Sequence, residues 1–408
     1  MYLTGGKWNM RRRTPRPSNP FTLIFLGALI LGMLYLNQVV VPTIPAMFEP
    51  TTTVTRSPES FINEAEQAFK AGKLKAAIEA YKQAILSDPS NPATFVALAR
   101  LQVFDGQYKD ALDSAEKALI LNPTYSLAYA VKGWALDFLG NYLDAEGSLR
   151  KAIELDPNNA LAYAYLAEAL MDADPQANID EASELSRKAK ALAPDALESY
   201  RARGYVLAQT QNFPEAAEEY KAAIALNDKL WEPHYQLGII YRFMQEYDLA
   251  VSELNTAFSL NPTNAEIAIV LARTQLAAGY YSRAVQFAED AVRIEPSNPR
   301  WHAELGVMLY REKKNYKRSA EELGLAVQGG TTADGAVVAG MPLEAGKIAE
   351  YYSFYGFALT QLDRCSDAIP VFQLILQSVG EGEIAYMNAL EGLSACQEGD
   401  STPTPDTP

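Results

Sequence analysis

The residues best able to do chemistry in this 408-residue chain are two histidines, two cysteines and a surplus of carboxylates. His234 and His302 could act as general bases or ligate a metal. They stand 68 residues apart, two periods of the repeat described below, too far to share one ion, and both read as packing residues. With only Cys365 and Cys396 beside them, neither a Cys/His zinc site nor a Cys-x-x-Cys-His haem site fits. The chain lacks G-x-x-x-x-G-K-[ST], H-E-x-x-H, G-x-S-x-G and a G-x-G-x-x-G that follows a strand. Gly329, Gly330 and Gly335 are too irregular for a phosphate loop. Asp and Glu number 50 against 35 Lys and Arg, for a net charge of −15, which argues against a general nucleic-acid binder. The carboxylates read as solvated helix faces. No enzyme, metal or cofactor is expected.

The elements that must position these residues begin with a charge asymmetry. Residues 1–20 carry Lys7, Arg11, Arg12, Arg13 and Arg16 and no acid. An uncharged apolar run follows over 21–41, ended by Pro42 and Pro45. It is too long for the core of a cleaved signal peptide, and its length suits the hydrocarbon thickness of a bilayer. The sequence therefore predicts a cytoplasmic N-terminus, an uncleaved transmembrane helix acting as signal-anchor over 21–41, and everything beyond it outside the cytoplasm. Residues 42–60 are a Pro/Thr-rich linker, and 397–408 read as a disordered polar tail. The first 60 residues are net +4 and the last twelve −3, which leaves −16 on a folded body over 61–396.

That body is periodic. Pro89, Pro123, Pro157, Pro194, Pro262 and Pro296 recur at spacings of 34, 34, 37, 68 and 34, with Asp228 where a seventh would stand. Small residues form a second ladder, Ala65, Ala99, Gly133, Ala167, Gly204, Gly238, Ala272, Gly306 and Gly356. Most have a small partner twelve residues later, such as Ala250 after Gly238. Two antiparallel helices approach most closely where neither carries bulk. An aromatic follows the turn between them, as in Gly106-Gln107-Tyr108 and Gln245-Glu246-Tyr247. Most of the 23 tyrosines fall in these turn and packing slots. The units run 58–91, 92–125, 126–159, 160–196, 197–230, 231–264, 265–298, 299–331 and about 349–382, with a capping helix near 381–396. Three extra residues around Pro175 are expected to lengthen the turn of the fourth unit. Residues 331–346 read as a surface loop.

The sequence resembles the tetratricopeptide repeat (TPR) family, whose pattern is W-x2-L-G-x2-Y, then A-x3-F, then P. The best match is Leu237-Gly238-x2-Tyr241 with Ala250-x3-Leu254, Ala257 and Pro262. The Trp slot is never Trp; it holds Phe61, Phe95, Tyr129, Tyr163, Tyr200, His234, Ala268, His302 and Tyr352. The resemblance implies an all-α, right-handed α-solenoid of about nine helix-turn-helix repeats plus a cap. It also implies that the first helix of each unit lines a concave groove that binds a protein or peptide without turnover.

Carrying that face through the units gives two sets. Units five to eight offer Arg201, Tyr205, Tyr235, Arg242, Phe243, Arg273, Tyr310 and Arg311, with Ile239 and Ile269. Units one to four offer Arg100, Phe104, Trp134 and Phe138, with Ile62, Glu66, Lys70, Asp137, Glu168 and Asp172. Four arginines and no acid in the later set predict an electropositive strip for an acidic segment or a free carboxylate. The expectation is a non-catalytic scaffold of the cell envelope, held in the cytoplasmic membrane. The alternatives are an accessory subunit of an envelope enzyme or secretion complex, and a glycan or cell-wall binder. Finally, antiparallel packing in such a solenoid should bring Cys365, opening a helix, beside Cys396, ending the cap, and pair them in a disulfide.

Overall fold

The computed structural model describes residues 19–36, 38, 56–313 and 315–399. It divides into two units, Met1–Thr55 and Arg56–Pro408. In the first, helix α1 (Pro20–Tyr35) starts at Asn19, whose side chain accepts a hydrogen bond from the Phe21 N–H at 3.3 Å. Its 16 residues rise about 24 Å, short of the ~30 Å hydrocarbon layer. Among the described residues no helix is long and apolar enough to cross a membrane. The single-pass anchor expected over 21–41 is corrected on that ground, and with it the cytoplasmic-membrane location and the extracytoplasmic repeats. The basic residues of 1–18, linker residues 42–55 and tail residues 400–408 lie outside the described residues.

The second unit is a helical solenoid. Among the described residues it forms nine helix pairs and a cap. The first five pairs are α2 (Pro58–Lys70) with α3 (Leu74–Ser87), α4 (Pro92–Phe104) with α5 (Tyr108–Leu121), α6 (Ser126–Phe138) with α7 (Tyr142–Leu155), α8 (Ala160–Ala173) with α9 (Pro175–Leu192), and α10 (Leu197–Gln209) with α11 (Phe213–Leu226). Next come α12 (Trp231–Phe243) with α13 (Tyr247–Leu260), α14 (Ala265–Ala277) with α15 (Tyr281–Ile294), α16 (Pro299–Glu312) with α17 (Tyr316–Gln328), and α18 (Lys347–Thr360) with α19 (Cys365–Ser378). The cap is α20 (Ile384–Gly399).

Local chemistry sets these boundaries. Asn91 and Asn298 cap α4 and α16 by accepting from the N–H of Ala93 and Arg300, each ahead of a proline in the first turn. Helices α3, α5, α7, α9, α13 and α15 each stop two residues before the periodic proline. The residue in between takes the extended conformation that a following proline demands, as Asp88 does at φ −141°. The intra-pair turns use one residue at positive φ, except between α8 and α9, where Asp174 is extended at φ −160°. Gly106 supplies the positive φ at +77°, whereas Gln245 is held there at +63°.

Within each pair the small-residue ladder sets the approach. A Cβ on Gly238 would lie 2.6 Å from Leu254 Cγ and 3.2 Å from the Ala250 carbonyl oxygen. The extra residues around Pro175 do not lengthen the turn. They lengthen the helix: α9 has 18 residues, and Asp174 alone separates it from α8, capping Gln176 and Ala177.

Two features depart from a plain stack. Residues 329–346 carry a short antiparallel ladder, β1 (Gly330–Thr331) against β2 (Val337–Val338). The segment is docked by the Met341 N–H, which donates to the Ala326 carbonyl at 2.9 Å. The second departure is at the N-terminal end. Repeats in a solenoid ordinarily touch only their neighbours. Here Arg100 of α4 is ion-paired with Glu198 of α10, three repeats on. Gly72, in the first turn, has no room for a Cβ because Lys229 Cβ would stand 2.5 Å away. The first five repeats therefore close on themselves, from Gly72 of the first to Lys229 at the end of the fifth.

Candidate functional site

The closure gathers the first helices of repeats two to six around a cavity of 370 Å³. Helix α4 gives Phe104; α6 gives Trp134, Asp137 and Phe138; α8 gives Glu168 and Asp172; α10 gives Arg201 and Tyr205; α12 gives Trp231, Glu232 and Tyr235. Tyr108 and Tyr220 enter from the second helices α5 and α11. Trp134 is the pivot. It stacks on Tyr165 with centroids 4.3 Å apart, meets Phe104 edge-on at 5.1 Å, and carries the Arg201 guanidinium 4.7 Å above its ring. Phe138 and Tyr108 stack in parallel at 4.7 Å, and Phe138 is 43% exposed, which leaves the mouth open.

Charge in this cavity is not what the face reading predicts. Arg201 is buried and ion-paired with Glu168. Tyr205 donates to Asp172, which stands exposed at the mouth. Burial pushes Asp137 up to about 8, and the facing Asp172 carboxylate adds to it. Partial desolvation raises Asp172 as well, against the lowering by Tyr205 and Asp137. Glu168 and Glu232 are also held above the usual carboxylate range, first by burial and against the pull of Arg201. Burial works against the charge on Arg201, but Glu168 and Glu232 more than offset it.

Satisfaction is incomplete here. Trp134 Nε1, Asp137 Oδ1, Glu168 Oε1, Arg201 Nε and Glu232 Oε2 all line the cavity region and are buried with no hydrogen-bond partner. Buried polar groups in folded proteins are nearly always paired. These five atoms belong to residues that line one cavity.

The remaining predicted residues lie apart from it. Arg100 pairs with Glu198 at a wider opening of 790 Å³, on the side where Lys70 and the inter-repeat loops converge. Arg273 is bonded to Glu304 at 2.9 Å. Arg242 lies over Phe243 at 5.3 Å, and both burial and the charge of Arg273 lower its pKa. Phe243 is exposed and stacks on Phe213 at 5.4 Å. Tyr310 packs edge-on against Phe354 at 5.4 Å, and the exposed Arg311 caps that ring at 5.5 Å. The electropositive strip is thus corrected: Arg201 and Arg273 are neutralised by glutamates on adjacent first helices. Those helices also supply Glu198, Glu232 and Glu304, which the face reading missed.

Both histidines are structural. His302 places Nδ1 2.6 Å from Glu322 and Nε2 2.9 Å from the Pro296 carbonyl. His234 repeats this with Glu253 and the Asp228 carbonyl. Among the described residues no cluster of His, Cys, Asp or Glu could hold a metal ion. Cys365 and Cys396 form a disulfide, with Cα atoms 5.5 Å apart.

Family profiles described as tetratricopeptide repeat match residues 68–135, 127–159 and 244–305. The chain is a tetratricopeptide repeat protein. Over 186 residues it is 27% identical to the BBSome complex member BBS4 of Bos taurus, covering 46% of this chain and 34% of that one. A second relative, BBS4 of Mus musculus, is 27% identical over 133 residues, 33% of this chain and 25% of its own. The TPR chain thus spans about a third or less of the curated relatives it matches. Those relatives bear the name of a member of a protein complex. Among solved structures, the human IFIT1 dimer with PPP-AAAA superposes with a TM-score of 0.55 at 18% identity, covering 86% of this chain and 85% of that one. That likeness establishes the fold alone.

Proposed function

We propose that this TPR protein is a non-catalytic scaffold that holds a segment of a partner protein in the closed concave face of repeats two to six. The observation that carries the reading is the set of five buried, unpaired polar atoms on the walls of one aromatic cavity. Membership of the BBS4 relatives in a protein complex supports it. An acidic segment or free carboxylate is the poorer fit, because four carboxyls line the cavity against one guanidinium that is already paired. A polyphosphate or nucleic acid would meet the same repulsion.

Site-specific photocrosslinking in the native cell tests the reading. A benzophenone amino acid at Phe138 or Tyr235, on the cavity wall, should capture a partner protein. The same group at Leu143, which is 83% exposed outside the cavity, should not. Capture from Leu143 with none from Phe138 or Tyr235 would move the binding surface elsewhere.

A further inference from the structure

The cavity has a definite chemical preference, and the argument for it rests on the scaffold reading just given. Three of its unpaired buried atoms are carboxylate oxygens: Asp137 Oδ1, Glu168 Oε1 and Glu232 Oε2. They belong to α6, α8 and α12, three of the helices whose side chains line the cavity. Asp137 and Glu168 are 3% and 4% exposed, so water does not reach them freely. Each lacks a donor. The guanidinium already present is partly engaged: Arg201 donates from one Nη to the other Glu168 oxygen, and its central carbon lies 4.7 Å from the Trp134 ring centroid. Asp137, Glu168, Asp172 and Glu232 thus share these walls with a single guanidinium. Around them stand the faces of Phe138, Tyr108 and Tyr235, which attract a cation through the ring quadrupole.

We infer that the cavity is a receptor for an arginine side chain presented by an exposed segment of the partner protein. A guanidinium is planar, carries five donors in a fixed fork and is weakly hydrated. It can serve carboxylates on different walls at once while stacking on an aromatic face. The point charge of an ammonium offers three donors and no face. A cavity of 370 Å³ sits at the small end of ligand pockets, with room for one long side chain rather than a folded element. The mouth, where Asp172 and Phe138 are exposed, lets the segment's backbone stay outside.

The test uses the full chain and two small probes, N-acetylarginine amide and its neutral isostere N-acetylcitrulline amide. Trp134 and Trp231 line the cavity and report occupancy by fluorescence. The arginine probe should shift the emission saturably, with a dissociation constant on the order of 1 mM, the range open to a fragment of this size. The citrulline probe should bind at least tenfold more weakly. Glu232→Gln and Asp172→Asn should each weaken the arginine probe about tenfold, the range for losing a charge-assisted contact, while circular dichroism melting shows the fold intact. Equal binding of the two probes would overturn the inference, as would no saturation by the arginine probe or unchanged affinity in both variants. Failure of the scaffold reading looks different: the arginine probe would bind as expected while crosslinking from the cavity captured no protein.

Discussion

Arg100 of the second repeat and Glu198 of the fifth form an ion pair across the concave channel, between residues 98 apart in sequence. The two ends are unequal. Glu198 is 1% exposed, whereas the Arg100 side chain keeps 33% of its surface. Burial disfavours the Glu198 charge, yet Arg100 more than offsets it and holds the carboxylate below its usual range. Removing Arg100 therefore strands a buried charge, while removing the Glu198 charge leaves a cation that can reach water. Arg100→Met should cost about 3 kcal/mol and Glu198→Gln clearly less. Urea unfolding of the two variants checks this, and equal losses would mean that desolvation of Glu198 does not set the balance. The sign with pH follows: the pair's contribution is present above the unfolded carboxylate range and is lost as pH falls through the depressed value.

How much of this was legible in the sequence depends on distance along the chain. Helix starts at Pro58, Pro92, Ser126, Ala160 and Leu197 follow from caps, prolines and the period, which act within a few residues. The Gly238 to Leu254 approach follows from spacing within one repeat. Charge pairing between repeats did not follow, because the groove face was read along each helix and not across neighbours. Arg201 and Glu168 are 33 residues apart, Tyr205 and Asp172 are 33, and Arg273 and Glu304 are 31. Each is close to one period, so comparing a face residue with its counterpart one unit away would have exposed the pairs. The Arg100 to Glu198 closure has no such signal, since it depends on the rotation accumulated over three repeats. The anchor expected over 21–41 rested on the apolar run, the cations before it and the prolines after it, none of which fixes where a helix stops; α1 has 16 residues.

The raised pKa of the Asp137 carboxyl makes the cavity sensitive to pH. Asp137 is raised to about 8 from an ordinary 3.8. A carboxyl raised on folding contributes stability fully below its unfolded pKa, and that stability is lost as pH rises toward the folded value. Around it stand Asp172 and Glu168 from α8, Arg201 and Tyr205 from α10, Glu232 and Tyr235 from α12, Tyr108 from α5 and Tyr220 from α11. Asp137→Asn imitates the protonated form at every pH. Its melting temperature should match the native chain near pH 4, then exceed it by a gap that widens with pH and levels off above 8. A constant gap across that range would show that Asp137 does not carry the proton.

The helix-pair approach predicts opposite effects for two substitutions in one repeat. Gly238→Ala places a methyl 2.6 Å from Leu254 Cγ, on a side chain with no exposed surface. Overpacking of this kind should cost about 1–3 kcal/mol. Gln245 in the same repeat sits at φ +63°, a conformation disfavoured for a side chain. Gln245→Gly relieves that and should stabilise by up to about 1 kcal/mol. Thermal melts of the two single variants should move in opposite directions.

The last expected outcome concerns the C-terminal end of the described solenoid, where α20 packs on α18 and α19. Phe372 of α19 is fully buried between two glycines: a Cβ on Gly356 of α18 would lie 2.5 Å from its ring, and one on Gly392 of α20 2.2 Å. The disulfide between Cys365 and Cys396 ties the start of α19 to the end of α20 over 31 residues. Closing a loop of that size restricts the unfolded chain by about 3–4 kcal/mol on the chain-entropy model. Apolar packing on Phe372 acts in the folded state and survives reduction. Cys365→Ser with Cys396→Ser should therefore leave the helical content of the intact chain unchanged, yet open the cap selectively. Hydrogen exchange should quicken in 384–396 and in α19, with little change in α4 to α12. Equal acceleration along the whole solenoid would mean that the bridge stabilises the array as one unit and not its end.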